Sequence, residues 1–231
     1  KKHPYRWMTI GKELSHIENA TLEDVKNFFF KHYRPVNAVM VVAGNVTTEK
    51  VKALAEKWFA DIPSGEPYKR NLPQEPEQTE ERKMEVKANV PLDAFYKCWH
   101  MPGRLDRRYY IIELLTDILS GGGSSRLYQS LVKEKQLFSN IDCHHFGSTD
   151  NGLVIVEGKL VKGVKIEDAE KAVEIEIDKM KNELVSEEEL QKVKNKTESM
   201  IAFEDMSVMS RATSLAYYEI LGDAAWMNAE L

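Results

Sequence analysis

The sequence contains few cysteines and no long apolar run. Only two of its 231 residues are cysteine, Cys98 and Cys143, and neither has the CxxC or Cys/His spacing of a metal site. We expect both to be small buried apolar residues, with a disulfide between them as the alternative. Because a bilayer-spanning helix needs about 20 consecutive apolar residues, the sequence predicts no membrane span. The opening stretch KKHPYRWMTIGKEL also lacks the pattern of a signal peptide.

The chain has no excess of positive charge. Its formal net charge is −5, with 30% charged residues. This balance excludes a broad basic surface for nucleic acid and a polybasic membrane patch. A hydrophobic content of 42% supports a real core, so we expect a globular protein with one large or two small domains.

The first part of the chain combines two helical patterns with one buried strand. Thr21 and Asp24 are typical of a helix N-cap, and the apolar residues that follow keep helical spacing until Pro35. The run AVMVVAG (38–44) is rich in β-branched residues and is closed by glycine, which predicts a buried strand. We expect this strand to pair with the sheet formed later in the chain, within one chain or from a second copy. A second helical pattern ends at residue 59.

A linker divides the chain. Residues 61–80, DIPSGEPYKRNLPQEPEQTE, hold four of the eight prolines and many charges. After them, strand patterns cover 82–89, 93–101, 138–147 and 152–159, and helical patterns cover 109–119, 124–134, 166–184 and the segments from Ser186 to Gly222. Strands grouped in pairs and helices grouped in runs predict an α+β fold, with helices covering one face of a mainly antiparallel sheet.

Four segments together resemble the M16 metallopeptidase family, which includes pitrilysin, insulin-degrading enzyme and the mitochondrial processing peptidase. They are HPYRWMTIG at the start, HYRPVNAVMVVAGNV (32–46), the linker, and GGGSSRLYQSLVKEKQLFSNI (121–141). Members of this family are built from tandem α+β repeats around a chamber for unfolded peptides. The resemblance implies that residues 1–75 are the end of a first repeat, 76–81 are the tail of the linker and 82–231 are most of a second repeat.

The chain lacks the zinc motif of the resembled family. That motif, HxxEH, places two zinc-binding histidines and a general base on one helical face. No such spacing occurs among the six histidines, which are His3, His16, His32, His100, His144 and His145. Adjacent strand residues point to opposite faces, so His144 and His145 are not expected to share a metal. The resemblance therefore implies no catalytic residue and no metal ligand here, and zinc in the parent protein if its N-terminal repeat carries HxxEH.

The glycine-rich segment is where the resemblance would place substrate contacts. In the family, a glycine turn and a short helix display an arginine and, seven residues later, a tyrosine, which can donate hydrogen bonds to the substrate. Here those two positions hold a valine and a serine. The candidate substrate-binding positions are Gly122, Gly123, Ser124, Ser125, Arg126, Val132 and Ser139. For Arg126, the alternatives to a substrate contact are helix capping and a surface ion pair.

Two functions follow from the resemblance. The first is a fragment of a zinc-dependent M16 peptidase acting on peptides or unfolded polypeptides, with a homologous subunit or a second copy as its partner. In a heterodimer, the partner would supply the arginine and the tyrosine. The second is a noncatalytic M16-like partner or scaffold subunit. An upstream HxxEH motif would select the first, and the compartment stays open between bacterial cytoplasm and periplasm.

Overall fold

A computed structural model describes residues 2–8, 10–204 and 206–228. They form two compact units, one within residues 1–86 and 208–230 and one within 87–207. The helices and strands are α1 (Ser15–Glu18), α2 (Leu22–His32), α3 (Thr48–Phe59), β1 (Ala94–Met101), α4 (Arg108–Ser120), a π-helix (Tyr128–Glu134), β2 (Phe138–Phe146), β3 (Gly152–Leu160), α5 (Ile166–Asn182), α6 (Glu187–Glu204) and α7 (Val208–Leu221). Among the described residues, no helix is long and apolar enough to cross a membrane.

The first unit contains well-capped helices that bury none of their residues. At the start of α2, the Thr21 hydroxyl accepts a hydrogen bond from Asp24 N (3.2 Å), and the Asp24 carboxylate accepts one from Thr21 N (2.9 Å). This capping box confirms the predicted N-cap. The Thr47 hydroxyl caps α3 in the same way, by accepting from Lys50 N (3.3 Å). All residues of α2, α3 and α7 are described, and none of them is buried.

The linker has no helix or strand, as its proline content predicts, yet it is not a free tether. Tyr68 N donates a hydrogen bond to the Asn37 side-chain oxygen (2.8 Å). Further along, the Arg70 guanidinium donates to the Tyr5 hydroxyl (2.9 Å). At Tyr68 and Arg70, the linker is therefore hydrogen-bonded to residues that precede it in the chain.

The second unit is a three-stranded antiparallel sheet with helices on one face. β3 lies in the centre and pairs with β1 on one side and β2 on the other. The helices and the helix-facing side of the sheet share one core, formed by Phe95, Leu119, Leu127, Leu131, Phe138, Ile141, Cys143, Val156, Leu160, Ala169, Ala172 and Val173. This arrangement confirms the predicted α+β fold.

The free edge of β2 is closed at its centre by a side chain from α4. The Ser120 hydroxyl accepts a hydrogen bond from Cys143 N (2.8 Å) and lies 2.7 Å from Cys143 O and 2.8 Å from the Asp142 carboxylate. Because an edge strand otherwise leaves such groups unpaired, the end of α4 takes the place of a neighbouring strand there. This contact also fixes the point from which the glycine turn departs.

Two predicted strands do not form. Residues 38–43 are irregular and belong to no sheet, and residues 82–89 are irregular as well. The prediction that the AVMVVAG run pairs with the later sheet within one chain is therefore wrong. Its apolar composition is compatible with a strand, but a strand also needs a partner backbone, which a composition pattern cannot supply.

The two cysteines have different environments. Both are free thiols, so the disulfide alternative is not realised. Cys143 is buried, as expected, and its burial raises the pKa of the thiol to about 12. Cys98 is exposed, and the expectation of burial is wrong for it. The residues on either side of it along β1 face the helices, so Cys98 points to the open face of the sheet.

The π-helix ends at a residue with a left-handed backbone. Gln136 has φ 51°, and the next residue, Leu137, donates its N–H to Leu131 O (2.9 Å). Helices commonly end with a residue in this conformation, but glycine usually occupies the position because a Cβ atom is disfavoured there. The strained residue lies two positions before Phe138, where β2 begins.

Replacing Gln136 with glycine should therefore stabilise the chain. We expect Gln136→Gly to raise the free energy of unfolding by about 0.5–1 kcal/mol, because the left-handed conformation then carries no Cβ penalty. Urea denaturation measures this change, and Gln136→Ala, which keeps the Cβ atom, is the matched control. A loss of stability in Gln136→Gly would contradict this account of the helix end.

Candidate functional site

The glycine turn lies between α4 and the π-helix and is open to solvent. Gly121 N closes the end of α4 by donating to Asp117 O (2.7 Å). Gly122 has φ +102°, a conformation that favours glycine. A Cβ atom added at Gly122 or Gly123 would have no atom within 4 Å apart from those of its chain neighbours. The turn can therefore admit a backbone or a side chain of another molecule close to its own main chain.

One face of α6 holds this turn in place. Glu189, Lys192 and Lys196 are spaced by three and four residues, so they share a side of the helix. The Lys192 ammonium donates to the Ser124 hydroxyl (3.1 Å), and the Lys196 ammonium contacts the Asp117 carboxylate (2.7 Å). The turn is thus tethered both before and after its glycines, which limits how far it can move.

Arg126 makes the strongest of these contacts. Its guanidinium donates two hydrogen bonds to the Glu189 carboxylate (2.8 and 2.7 Å), a bidentate geometry that fixes both side chains. Hydrogen bonding to Arg126 holds the pKa of Glu189 at about 2, and the same contact raises the pKa of Arg126. The geometry favours the ion-pair alternative for Arg126, and a substrate contact by this residue stays a prediction.

Val132 and Ser139, the two positions aligned with the family's arginine and tyrosine, offer no free donor. Val132 lies in the π-helix and packs, partly buried, against the core. Ser139 lies on β2 and is exposed, but its hydroxyl donates to Lys159 O (3.1 Å). Ser125 is 1% exposed, and its hydroxyl finds no hydrogen-bond partner among the described residues. A substrate contact by Ser125 stays a prediction.

A buried carboxylate on α5 anchors the π-helix and was not predicted. Glu176 is 3% exposed and accepts hydrogen bonds from the Ser130 hydroxyl (2.7 Å) and the Lys179 ammonium (3.1 Å), with the Lys135 ammonium at 3.6 Å. Burial alone would raise the pKa of Glu176, but these contacts outweigh it and lower the pKa. The sequence held one sign of this role, because Glu176 falls on the apolar face of a helical pattern, beside Val173.

The histidines do not assemble a metal site. His144 Nδ1 lies 3.0 Å from the Asp142 carboxylate, whereas His145 packs edge-on against Tyr109 with ring centroids 5.3 Å apart. The two side chains leave β2 on opposite faces, as its alternation requires. Across the residues that the structure describes, no group of three histidine, cysteine, aspartate or glutamate side chains could hold a metal ion.

Comparisons with known proteins agree on one family. A sequence model described as the peptidase M16 inactive domain matches residues 19–197. The chain is 30% identical over 195 residues to the zinc protease PqqE of Helicobacter pylori, which covers 83% of this chain and 44% of that protein. A solved protease from Helicobacter pylori has a TM-score of 0.83 and 27% identity, over 98% of this chain and 55% of that one.

A more distant solved structure supports the fold. The peptidase M16 inactive domain from Pseudomonas fluorescens has a TM-score of 0.76 and 20% identity, over 98% of this chain and 53% of that one. The chain therefore spans about half the length of the relatives that it matches.

The Arg126–Glu189 pair should make stability depend on acidic pH. The pKa of Glu189 is about 2 in the folded chain and about 4.3 in an unfolded one, so its contribution is complete above about pH 5 and is lost as pH falls towards 2. We expect Glu189→Gln to cost about 1–3 kcal/mol at pH 7 and far less near pH 2, measured by urea denaturation.

Glutamine preserves the capping role of residue 189, so this variant isolates the ion pair. Glu187→Gln, in the same helical turn, is the matched control and should change stability little at either pH. An equal loss at both pH values for Glu189→Gln would show that the ionised pair is not what stabilises the turn.

The isolated chain should retain no stoichiometric zinc and hydrolyse no peptide. The described residues contain no adequate ligand set, and three or four well-placed ligands are needed to hold zinc tightly. Elemental analysis of the purified 231-residue chain after mild chelation is the direct measurement. One tightly held zinc per chain would contradict our interpretation of the histidines.

Proposed function

The chain belongs to the M16 peptidase family through that family's inactive domain, and we propose that it is the non-metal part of a zinc-dependent peptidase acting on peptides or unfolded polypeptides. In this proposal, residues 1–75 complete a zinc-bearing repeat, and residues 82–231 form most of an inactive repeat. The name of PqqE, a zinc protease, supports zinc chemistry in the parent protein. The chain itself contributes structure and a surface for the substrate.

The proposal depends on one observation: Val132 and Ser139, the positions after the glycine turn that align with the family's arginine and tyrosine, offer no free donor. A guanidinium and a phenol there would donate hydrogen bonds to a peptide carbonyl or to the tetrahedral oxyanion. Val132 has no donor and packs against the core, while the Ser139 hydroxyl is bonded to a backbone carbonyl. The missing donors would come from a homologous M16 subunit, which makes the active species a heterodimer.

The glycine turn supports a role in binding an extended substrate. Gly122 and Gly123 leave their surroundings open, and the tethers to α6 keep the turn in one orientation. A fixed, open turn loses little conformational entropy when a peptide backbone lies against it. In this proposal, Arg126 positions the turn through Glu189.

A noncatalytic partner or scaffold subunit is the second candidate. The description of the matched domain as inactive favours it, as does the absence of a metal-binding group among the described residues. The two candidates differ in the rest of the parent protein. An HxxEH motif upstream of this segment selects the peptidase, and its absence selects the scaffold.

Peptide hydrolysis by the full-length parent tests the proposal. Coexpression with an M16 homologue that carries the arginine and tyrosine should raise the rate of cleavage of a fluorogenic peptide by about a hundredfold or more, the usual effect of such donors. The control is the same homologue with its arginine changed to methionine and its tyrosine to phenylalanine. Full activity of the isolated parent protein as a monomer would contradict the proposal that a partner subunit supplies the arginine and the tyrosine.

A further inference from the structure

The π-helix places a lysine over a tyrosine. The Lys133 ammonium lies 5.8 Å from the centroid of the Tyr128 ring, within the range of a cation–π contact. In an α-helix of 3.6 residues per turn, residues with this spacing would point about 140° apart. In the π-helix the turn closes on the fifth residue, as in the hydrogen bond from Lys135 N to Ser130 O (3.0 Å). The π conformation therefore brings the ammonium and the phenol onto one side.

The described residues leave the hydrogen-bonding capacity of this pair unused. Lys133 is exposed and forms no ion pair with any described residue. Tyr128 is half-buried, and its hydroxyl forms no hydrogen bond with any of them. The carboxylate of Glu134 is next in the chain, but adjacent residues of a helix do not face each other. An ammonium and a phenol, both hydrogen-bond donors, thus lie together at the surface.

The pair lies close to the glycine turn. Gln129, the residue after Tyr128, donates from its side-chain amide to Gly123 O. In the turn, the backbone N–H groups of Gly123 and Ser124 make no hydrogen bond with any described residue, and both residues are exposed. The turn and the π-helix therefore offer main-chain donors followed by a cation and a phenol.

A carboxylate on an extended peptide fits this arrangement. An ammonium binds a carboxylate through a charge-assisted hydrogen bond, and a phenol can donate a second one. Carbonyl groups of the same peptide can accept from the main-chain donors of the turn. The flexible stem of lysine allows its ammonium to follow the ligand. A polyanion such as nucleic acid fits less well, because the chain has a net charge of −5 and would repel it.

We infer that Lys133 and Tyr128 bind a carboxylate of the peptide substrate, which belongs either to an acidic side chain or to a free C terminus. This inference rests on the proposed function and adds the chemical feature that the chain recognises in its substrate. The two residues are distinct from Val132 and Ser139. The arginine and the tyrosine of a partner subunit therefore keep their proposed role at the reacting carbonyl.

Titration of the 231-residue chain with peptides, followed by amide chemical shifts, tests the inference. The first probe is a Gly/Ser peptide with one central glutamate and an amidated C terminus, and the second has glutamine in place of the glutamate. The third keeps the glutamine and has a free C terminus. We expect a peptide with a carboxylate to bind about three- to tenfold more tightly than the uncharged one, with shifts at Gly123 and Ser124.

The two charged peptides distinguish the sources of the carboxylate. A preference for the first probe assigns the site to an acidic side chain, and a preference for the third assigns it to a C terminus. Either preference should shrink at high salt, because the contact is exposed and ionic. Equal affinity for all three peptides, or no measurable binding of any of them, would overturn the inference.

Matched variants locate the contact. Lys133→Met should remove most of the preference for the carboxylate, whereas Lys133→Arg should retain it because the cation remains. Tyr128→Phe should reduce the preference by about twofold, through the loss of one hydrogen bond. Lys171→Met, at an exposed lysine of α5, removes the same charge elsewhere and should leave the preference intact. Equal losses in Lys133→Met and Lys171→Met would overturn the inference.

The outcomes separate this inference from the proposed function. Carboxylate binding that depends on Lys133, together with no peptide hydrolysis under any pairing, would retain the binding site and remove the peptidase. Partner-dependent hydrolysis, together with no effect of Lys133→Met on peptide binding, would retain the peptidase and remove the binding site.

Discussion

The carboxylate of Glu189 joins the start of α6 to Arg126, which follows the glycine turn. It accepts hydrogen bonds from Ser186 at the start of α6, and it receives both hydrogen bonds from the Arg126 guanidinium. One side chain thereby begins a helix and fixes the turn that leads into the π-helix. If Glu189 were lost, Arg126 would keep a partly buried charge without its main partner. The segment that follows the glycines would also lose this contact with α6.

Three side-chain contacts determine the position of the glycine turn. Ser120 fixes the end of α4 against β2, Glu189 fixes the first residues after the turn, and Glu176 fixes the π-helix through Ser130. Each contact joins residues at least 23 positions apart, so each depends on the assembled core. A loop with three consecutive glycines is flexible by itself, but here the surrounding side chains determine where it lies.

Local patterns in the sequence predict most of the helices and the sheet, because periodicity and capping are properties of a few adjacent residues. Thr21 with Asp24 and Ser186 with Glu189 mark helix starts that the structure contains. The failures involve distant partners. Residues 38–44 and 82–89 have strand composition but no strand beside them, and the pairing of Arg126 with Glu189 spans 63 positions. The exposure of Cys98 likewise depends on which face of the sheet the helices cover.

The hydroxyl of Ser120 affects how the edge of the sheet could pair with a strand of another chain. By occupying the Cys143 amide, it interrupts the outer side of β2 where a foreign strand would otherwise attach. At the other side of the sheet, β1 pairs with β3. A strand of another chain could therefore pair with the outer edge of β2 at Cys143 only by displacing the Ser120 hydroxyl.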